Sequence, residues 1–350
     1  MHNKNILIWG EFPPKTITGI SVSNQSIRKI LEKHGYIVHT EEEYSWDKNS
    51  LLKILHLLYK NIKILIKAVS KQFDIYYFTI SLSWFGLLKA FLFIIPFSVF
   101  SKKSFNIAHI HRGDLKVFLF QKKIYFILFQ RILKRTNRLI LLSEQFKRDL
   151  KDILDHQDIC VLHNTSGFEA HKSQYNYYHQ RFLCISNYIC SKGIMELVQT
   201  FKNEKLKTFH LDIYGHIYDL NFYQKLQNVA PDNVHLKAEV PRNEMKETMQ
   251  SYDCFILPSW NEGQPIVLLE AMSLGLPIIS TNVGDIPQML GSDYSFYAEP
   301  RNVDSLEKAI LRFDKIEDKK TISDYVYQRY MNNYSNEDYR RMVLEIFKPK

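Results

Sequence analysis

Short apolar runs closed by turn residues alternate along the chain with longer segments whose apolar residues recur every three or four positions. This alternation predicts buried parallel strands joined by helices, and therefore an α/β fold. The predicted strands are Asn5–Trp9, Tyr36–His39, Ile75–Ile80, Ser104–Ile110, Arg138–Ser143, Ile159–Leu162, Phe182–Ser186, Thr208–Tyr214, Val234–Leu236, Cys254–Leu257 and Pro277–Thr281.

The apolar periodicity is interrupted over residues 165–180, where His, Asn, Gln and Tyr dominate. Such a stretch is typical of an interdomain linker. A chain of 350 residues is long enough for two domains of ordinary size. We therefore expect an amino-terminal domain over residues 1–170 and a carboxyl-terminal domain over residues 171–334.

Residues 251–289 form the most informative segment, because they read as strand, loop, helix and strand in turn. Pro265 suits the first turn of the helix, where its missing N–H is no loss, and Gly275 suits the position just past the helix end. The loop over 261–264 then follows a strand and precedes a helix. Open α/β sheets bind ligands at the carboxyl ends of their strands, and a helix N-terminus favours phosphate.

Glu262 and Glu270 place carboxylates in this loop and in the helix that follows it. Glu262 is expected to be free to meet a ligand. Glu270 lies in an otherwise apolar helical run, where a carboxylate needs hydrogen-bond donors. The adjacent hydroxyls of a ribose would supply two donors; alternatively, Glu270 caps a neighbouring backbone segment and is purely structural.

The pattern E-G-x-P-x-x-x-x-E, followed by A-M-x-x-G-x-P-I-I-x-T-x-x-G-x-x-P, resembles the signature of the retaining GT-B glycosyltransferases of family 4. Asp285 stands where glycine is frequent in that family, and Gln288 where glutamate is frequent. The resemblance implies two Rossmann-like, doubly wound domains that face a central cleft. It also implies that a last helix, at about 335–350, packs back on the first domain.

The resemblance implies specific roles at a nucleotide-sugar site. His111 and Glu262 would face the donor sugar at the reacting centre, Lys192 would neutralise the diphosphate, and Glu270 would accept the ribose hydroxyls. Asn187 replaces a more common arginine and brings no charge. The implied donor-binding residues are Gly19, Asn187, Lys192, Gly263, Gln264, Pro265, Ile266 and Glu270.

His109 is the alternative to His111, since the strand predicted over 104–110 ends at these two histidines. Their H-x-H spacing is compatible with a metal site, but the sequence shows no third ligand nearby and no D-x-D motif. The GT-B pattern implies catalysis that needs no metal and no cofactor beyond the nucleotide sugar.

Positive charge is concentrated in residues 51–140, which contain 16 Lys and Arg residues and two Asp residues. Their formal charge is thus +14, whereas the whole chain carries +9. Segments 51–69 and 116–135 combine Lys or Arg with Leu, Ile and Phe at helical spacing, which is typical of helices that bind an anionic membrane surface. Alternatively, their apolar faces belong to the core and the lysines are solvated. The aromatic, amphipathic pattern favours a membrane over nucleic acid.

Residues 75–100 contain Lys89 as their single charged residue and are long enough to cross a bilayer, but Pro96 and the polar positions favour a strand followed by a helix. The apolar run at the start of the chain is too short for a signal peptide. Cys160, Cys184, Cys190 and Cys254 show no C-x-x-C spacing and are expected to be reduced. We expect a bacterial cytoplasmic protein that lies peripherally on the inner face of the plasma membrane.

These observations predict a retaining hexosyltransferase that moves a sugar from a nucleotide donor, with UDP favoured, to a lipid-linked or membrane-held saccharide. Such a reaction belongs to the biosynthesis of cell-surface polysaccharides such as lipopolysaccharide or capsule. A nucleotide-sugar epimerase of the same fold would instead convert the donor without an acceptor. A non-catalytic binder of membranes or nucleic acids would leave the two glutamates without a role.

Overall fold

A computed structural model describes residues 4–14, 18–43, 50–70, 73–101, 103–154, 158–172 and 178–348, with the backbone only at 50–58 and 70. The chain divides into two compact units, Met1–His163 with Tyr339–Lys350, and Asn164–Asp338. The domain boundary expected from the sequence, after residue 170, lies seven residues beyond the boundary after His163 in the structure.

The first unit alternates strands and helices from its first described residues onward. Its strands are Asn5–Gly10 (β1), Ile37–Glu42 (β2), Ile75–Thr79 (β3), Phe105–His109 (β4), Arg138–Leu141 (β5) and Asp158–Val161 (β6). Its helices up to this point are Gly19–Lys33 (α1), Ser50–Ser70 (α2), Trp84–Phe100 (α3), Leu115–Phe120 (α4), Lys123–Leu133 (α5) and Glu144–Asp149 (α6).

In the described residues these six strands form one parallel sheet in the order β2-β1-β3-β4-β5-β6. The strand order reverses between β1 and β3, which is the position where doubly wound sheets open a crevice. Apolar residues fill both faces of the sheet. One face packs against α2 to α5, and the other against α1 and the carboxyl-terminal residues.

The second unit repeats this architecture. Its strands are Arg181–Ile185 (β7), His210–Tyr214 (β8), Val234–Lys237 (β9), Cys254–Leu257 (β10), Ile278–Thr281 (β11) and Tyr297–Ala298 (β12). Its helices are Ile194–Thr200 (α7), Leu220–Val229 (α8), Met245–Gln250 (α9), Ile266–Ser273 (α10), Ile286–Leu290 (α11), Val303–Asp314 (α12) and Lys319–Asn333 (α13), with short 3-10 turns at Cys190–Lys192 and Glu204–Leu206.

Across the described part of this unit, six parallel strands are ordered β12-β11-β10-β7-β8-β9. Counted from its own first strand, this is the order 3-2-1-4-5-6 of a dinucleotide-binding sheet. The reversal lies between β7 and β10. The prediction of an α/β fold with two Rossmann-like, doubly wound domains is therefore confirmed.

The carboxyl-terminal helix, Asn336–Ile346 (α14), contributes apolar side chains to the first unit. Tyr339, Val343 and Phe347 lie in the core beneath the first sheet. Arg138, at the start of β5, donates hydrogen bonds to the carbonyl oxygens of Ile346 and Lys348. The end of the chain is thus fastened to the amino-terminal sheet by packing and by hydrogen bonds.

Some local expectations were wrong. The amphipathic segment 116–135 is not one helix but two, α4 and α5, separated by residues 121–122. Helix α1 is capped by Thr18, whose side chain accepts from the Ser21 N–H. The short strand β12 was not predicted, because two residues are too few for an alternation to show.

Candidate functional site

The residues that the sequence singled out in the second unit lie at its topological switch point, where β7 and β10 are neighbours. The 3-10 turn Cys190–Lys192 follows β7, and the loop Ser259–Gln264 follows β10. The N–H of Trp260 donates to the carbonyl oxygen of Ser191 at 2.9 Å. This backbone bond joins the two loops at the carboxyl edge of the sheet.

Gly193 allows the turn after β7 to lie close to the end of β10. Its φ of +67° is in the left-handed region, which glycine adopts without strain. A Cβ atom at this position would overlap the carbonyl oxygen of Pro258. Because Gly193 directly follows Lys192, this close approach positions the lysine beside the loop that follows β10.

Lys192 and Glu262 form an ion pair at this point, with 2.7 Å between Nζ and Oε1. The Ser259 hydroxyl donates to the same carboxylate oxygen at 2.6 Å. The expectation that Glu262 is free in its loop was therefore wrong. The Lys192 side chain is 26% exposed and the Glu262 side chain 10% exposed, so the lysine is the more accessible member of the pair. The arrangement brings a cation and a carboxylate together at the edge where doubly wound sheets bind their ligands.

The backbone of Glu262 and Gly263 is supported from the loop that follows β11. Gly284 has a φ of +58°, and a Cβ atom there would overlap the carbonyl oxygen of Glu262. The N–H of Asp285 donates to the Gly263 carbonyl oxygen at 3.1 Å. These contacts explain why the sequence has glycine after the strand β11, and they hold the Glu262 loop from beneath.

The side chain of Gln264 is fixed within the protein. Its amide oxygen accepts from the Asn164 N–H, and its amide nitrogen donates to Asp285 at 2.7 Å. Asn164 also donates through Nδ2 to the Gln264 carbonyl oxygen at 2.8 Å. Gln264 is buried. A ligand could therefore meet Gln264 through its backbone rather than through its side chain.

Pro265 was expected in the first turn of the helix. In the structure it is the N-cap of α10, and the helix begins one residue later, at Ile266. No side-chain cap is present there among the described residues. The Leu268 N–H donates to the Pro265 carbonyl oxygen at 3.2 Å, so the N–H groups of Ile266 and Val267 are the ones that an anion could meet, and the helix dipole would favour it. Gly275 has a φ of +67° and follows the helix end as predicted.

Glu270 lies on α10 with 2% of its surface exposed and pairs with Arg242 through Nη1 and Oε1. One alternative was that Glu270 caps a neighbouring backbone segment. In the structure its carboxylate pairs with the side chain of Arg242 instead. The Arg242 guanidinium also lies over the ring of Phe168, 4.9 Å from its centroid. Burial raises the pKa of Glu270 above its ordinary value, and Arg242 offsets part of that rise.

Asn187 follows β7 and lies against the end of β8. A Cβ atom on Gly215 would come within 3.2 Å of the Asn187 Cα, so the two loops nearly touch. Asn187 is therefore at the same edge of the sheet as Lys192. It supplies an amide where the resembling family more often has a cation.

His109 and His111 lie at the carboxyl end of β4 in the first unit, with ring centroids 3.8 Å apart. The Tyr77 hydroxyl is 2.7 Å from His109 Nδ1. Burial lowers the pKa of His109, with a further contribution from His111, and burial lowers the pKa of His111 to about 3. Both imidazoles are thus neutral at physiological pH. The Nε2 atoms of both are buried and have no hydrogen-bond partner within the described residues.

The amino-terminal loop places Gly19 at the first position of α1. Thr18, the N-cap, donates through its hydroxyl to Glu11 at 2.8 Å. Residues 15–17 lie outside the described part of the chain. Gly19 and His111 therefore belong to the first unit, whereas Asn187, Lys192, Glu262, Glu270 and the residues 263–266 belong to the second.

Sequence reasoning missed several groups that hold the site residues in place. Arg242 and Ser259 bind the two glutamates, and Asn164 binds Gln264. No spacing rule connects residues that are 28 or 100 positions apart, so only the tertiary structure could pair them.

The lysines of α2 point toward the protein. Lys60, Lys63 and Lys67 contact the carboxylate of Glu41 at 2.7, 3.1 and 2.6 Å. Burial raises the pKa of Glu41, but the hydrogen bonds from these lysines outweigh that effect and hold it at about 2. Lys53 lies where the structure describes only the backbone. The charge of segment 51–69 is therefore partly neutralised within the fold.

Exposed apolar side chains occur on the same helical layer of the first unit. On α2 they recur at helical spacing, and others lie on α4 and α5: Tyr59, Ile62, Leu65, Ile66, Val69, Val117, Phe120 and Ile124. Among the described residues, no helix is long and apolar enough to cross a membrane. The same residues contain no cluster of His, Cys, Asp and Glu that could hold a metal ion.

Residues 179–314 match the family model described as glycosyl transferases group 1. A putative teichuronic acid biosynthesis glycosyltransferase, TuaC of Bacillus subtilis (strain 168), is 32% identical over 77 residues, 22% of this chain and 20% of the relative. A UDP-Gal:alpha-D-GlcNAc-diphosphoundecaprenol alpha-1,3-galactosyltransferase of Escherichia coli is 35% identical over 72 residues, 20% of this chain and 19% of the relative. The matches thus span about a fifth of the length of these curated relatives.

The likeness to solved structures extends over nearly the whole chain. Sucrose-phosphate synthase from Thermosynechococcus elongatus superposes with a TM-score of 0.79 at 13% identity, covering 98% of each chain. At this identity the comparison establishes the fold. The predicted GT-B architecture is therefore confirmed.

Proposed function

We propose that this chain, a member of the group 1 glycosyltransferases with the GT-B fold, transfers a hexosyl residue from a nucleotide sugar to a saccharide hydroxyl. A UDP-sugar is the proposed donor, and a lipid-linked or membrane-held saccharide of a cell-surface polysaccharide is the proposed acceptor. The names of the relatives support the proposed acceptor, because they mention teichuronic acid biosynthesis and a diphosphoundecaprenol-linked sugar.

The ion pair of Lys192 and Glu262 is the observation that carries the proposal. It lies at the switch point of the second sheet and next to the uncapped start of α10. A nucleotide sugar carries a diphosphate next to a ring of hydroxyls. Lys192 and the N–H groups of α10 would hold the diphosphate, and Glu262 would accept hydrogen bonds from the sugar.

Charge on the leaving diphosphate grows as the bond to the sugar breaks. A cation and a helix N-terminus that are already in place stabilise this charge without having to reorganise. Asn187 supplies no charge, so Lys192 and α10 carry the work that an additional arginine would share. The proposed chemistry needs no metal ion.

In the first unit, His111 is proposed to hydrogen-bond the sugar near its reacting carbon. Its imidazole is neutral and its Nε2 atom has no partner within the described residues. A neutral imidazole can donate or accept one hydrogen bond without placing a charge next to the forming bond. The retained anomeric configuration follows from the resemblance to the retaining enzymes.

The exposed apolar residues of α2, α4 and α5 support a peripheral contact with a membrane. Lys116, Lys122 and Lys123 are exposed beside Val117, Phe120 and Ile124. Such a surface would insert apolar side chains and attract anionic headgroups. It would place the enzyme where a lipid-linked acceptor is found, on the cytoplasmic side of the membrane.

The first test measures thermal stability with UDP, GDP and ADP in the presence of EDTA. A ligand that binds only the folded protein stabilises it by about 2.7 kcal/mol at one hundred times its Kd. We expect UDP to raise the melting temperature more than the other two nucleotides. No response to any of them would contradict the proposed nucleotide-sugar site.

In the second test, the protein is incubated with a UDP-sugar and a membrane lipid extract, and NMR follows the fate of the sugar. Transfer to lipid with retention of the anomeric configuration is the expected result. Conversion of the donor without any acceptor would indicate an epimerase instead. Inversion at the anomeric carbon would contradict the retaining mechanism but not the transferase activity.

A further inference from the structure

Glu270 is held by a residue that comes from a different part of the second unit. Arg242 precedes α9, and its guanidinium pairs with the carboxylate on α10. The carboxylate has 2% of its surface exposed, whereas the Arg242 side chain has 39% exposed. The pair therefore joins a buried acceptor to a guanidinium that reaches the surface.

We propose that Arg242 is a positioning residue of the ribose site, because its guanidinium keeps the Glu270 carboxylate ionised and oriented to accept hydrogen bonds from two ribose hydroxyls. The proposal rests on the proposed function, in which Glu270 binds the ribose of the donor. It adds a residue to that site and predicts how nucleotide affinity depends on pH.

The electrostatics around Glu270 make the need for such a residue clear. Burial raises the pKa of Glu270, and the Arg242 charge and hydrogen bond act against that rise. From α13, Tyr330 lies near this carboxylate; burial raises the pKa of Tyr330, with a smaller contribution from the Glu270 charge, so the phenol is neutral at physiological pH. The strand β11 carries no ionisable side chain. Arg242 is therefore the cation that favours the ionised form in the described surroundings of Glu270.

The segment that follows Asn164 holds the guanidinium in its position. The Phe168 ring lies against it, and a Cβ atom on Gly167 would overlap its Nη2 atom. The hydroxyl groups of Ser166 and Tyr330 share a hydrogen bond of 2.8 Å, and the Asn336 amide donates to the Phe168 carbonyl oxygen at 2.6 Å. The loop that contacts the guanidinium is therefore fixed by hydrogen bonds, and the missing side chain of Gly167 leaves space for the guanidinium.

An ionised and a protonated carboxyl group differ in how they bind a ribose. The ionised group accepts from both hydroxyls, with charge-assisted bonds that are about twice as strong as neutral ones. The protonated group has one O–H that must itself donate. Loss of Arg242 should therefore weaken nucleotide binding in proportion to the protonated fraction of Glu270.

The experiment measures Kd by calorimetry for UDP, GDP and ADP and for their 2′-deoxy counterparts at several pH values. For the nucleotide that binds the native protein, Arg242→Met is expected to weaken binding about tenfold at neutral pH. The deficit should shrink as the pH rises, because Glu270 then loses its proton. The preference for the ribonucleotide over its 2′-deoxy form should also fall.

Arg181→Met is the matched control. The Arg181 guanidinium also lies 4.9 Å from a ring centroid, that of Tyr252, in the same unit. Its replacement removes an equivalent stacking contact but leaves Glu270 paired. We expect this variant to bind nucleotide like the native protein at every pH.

Further variants separate positioning from folding. Arg242→Lys keeps a charge and should restore part of the affinity, while Gly167→Ala should disturb the guanidinium and reproduce a smaller deficit without altering either charge. In Arg242→Met combined with Glu270→Gln, the pH dependence should disappear. Circular dichroism establishes that each variant is folded.

The outcomes distinguish the two proposals. If the native protein binds no nucleotide, the proposed function fails and the ribose site with it. If the native protein binds but Arg242→Met and Gly167→Ala keep its affinity, pH profile and 2′-hydroxyl preference, the role of Arg242 is overturned while the proposed function stands. A deficit in Arg242→Met that does not vary with pH would also overturn it.

Discussion

Glu262 and Glu270 are both paired with a cation, but in different surroundings. Glu262 meets Lys192 and Ser259 near solvent, whereas Glu270 meets Arg242 in the interior. A buried carboxylate without a partner is costly, so Arg242 serves stability even before a ligand is considered. The pair at Glu262, whose lysine side chain is partly exposed, is better suited to giving way to a substrate.

Replacing Glu262 by Gln tests the sugar contact. The variant keeps the size of the side chain but removes the charge that sugar hydroxyls would bind in the transition state. We expect kcat to fall at least about a hundredfold, with a smaller change in the Kd for UDP. Steady-state kinetics and calorimetry measure the two quantities. Near-normal turnover would contradict the role assigned to Glu262.

The sequence indicated these site residues one by one, since Lys192, Glu262 and Glu270 each match a local pattern. It did not indicate their partners. The resemblance to a known signature named a site, but a side-chain pair is formed by chain segments that meet only in the folded protein. Arg242 in particular carries no local signal that separates it from an ordinary surface arginine.

At the scale of elements, the turn after β7 has to pass close to β10. Gly193 makes this possible, because its backbone is left-handed and its missing side chain leaves room for Pro258. The site thus depends on a glycine that itself contacts no ligand in the proposal.

Gly193→Ala should therefore destabilise the protein in two ways, through backbone strain and through the overlap of the new Cβ atom with Pro258. We expect it to lower the free energy of unfolding by about 2–4 kcal/mol and to weaken nucleotide binding, because Lys192 is displaced. Denaturant unfolding and thermal shifts with UDP measure both effects. Gly35→Ala is the control: Gly35 has a φ of +83° but nothing within 4 Å of an added Cβ. Equal effects of the two variants would contradict the packing argument.

Helix α2 presents its faces in an unusual way. Ile64 and Ala68 pack into the core, the lysines contact Glu41, and apolar residues of the same helix are exposed. The sequence correctly indicated a basic amphipathic helix. It could not indicate that a carboxylate on β2 would take up the lysines, because that contact depends on how the helix lies on the sheet.

The exposed stripe of α2 predicts how the protein would meet a membrane. Replacing Ile62 and Val69 by Ser should weaken binding to vesicles that contain anionic phosphatidylglycerol by about tenfold, since apolar area is lost. Flotation assays measure the bound fraction. Leu220→Ser, at a comparably exposed apolar position on α8 of the other unit, should have no effect. Unchanged binding of the double variant would exclude α2 from the contact.

At the scale of the whole molecule, the chain combines a strongly basic segment with a fold that needs some of those charges in place. Glu41 is buried beneath α2 and has its pKa lowered to about 2 by the lysines, against the effect of burial. A group whose folded pKa lies below its unfolded value contributes stability above the unfolded pKa. That contribution is lost as the pH falls through the folded pKa.

Glu41→Gln is expected to lower the free energy of unfolding by about 3 kcal/mol at pH 7, because the lysines lose their counter-charge. The difference from the native protein should decline between about pH 4.5 and pH 2, where the native Glu41 takes up its proton. Denaturant titrations over this range measure the effect. A difference that stays constant with pH would show that the ion pairs do not carry the stability.

Local patterns in the sequence were sufficient to indicate the class of fold and most of its elements. Apolar runs and turn residues mark strands and helices locally, and the segment 251–289 carries enough specific positions to indicate both the fold and a nucleotide-sugar site. The tertiary structure decided which side chains pair: Glu262 with Lys192, Glu270 with Arg242, and Glu41 with the lysines of α2. Local periodicity reflects burial within one element, whereas an ion pair depends on the packing of distant elements, and packing sets the final charge and exposure of each site residue.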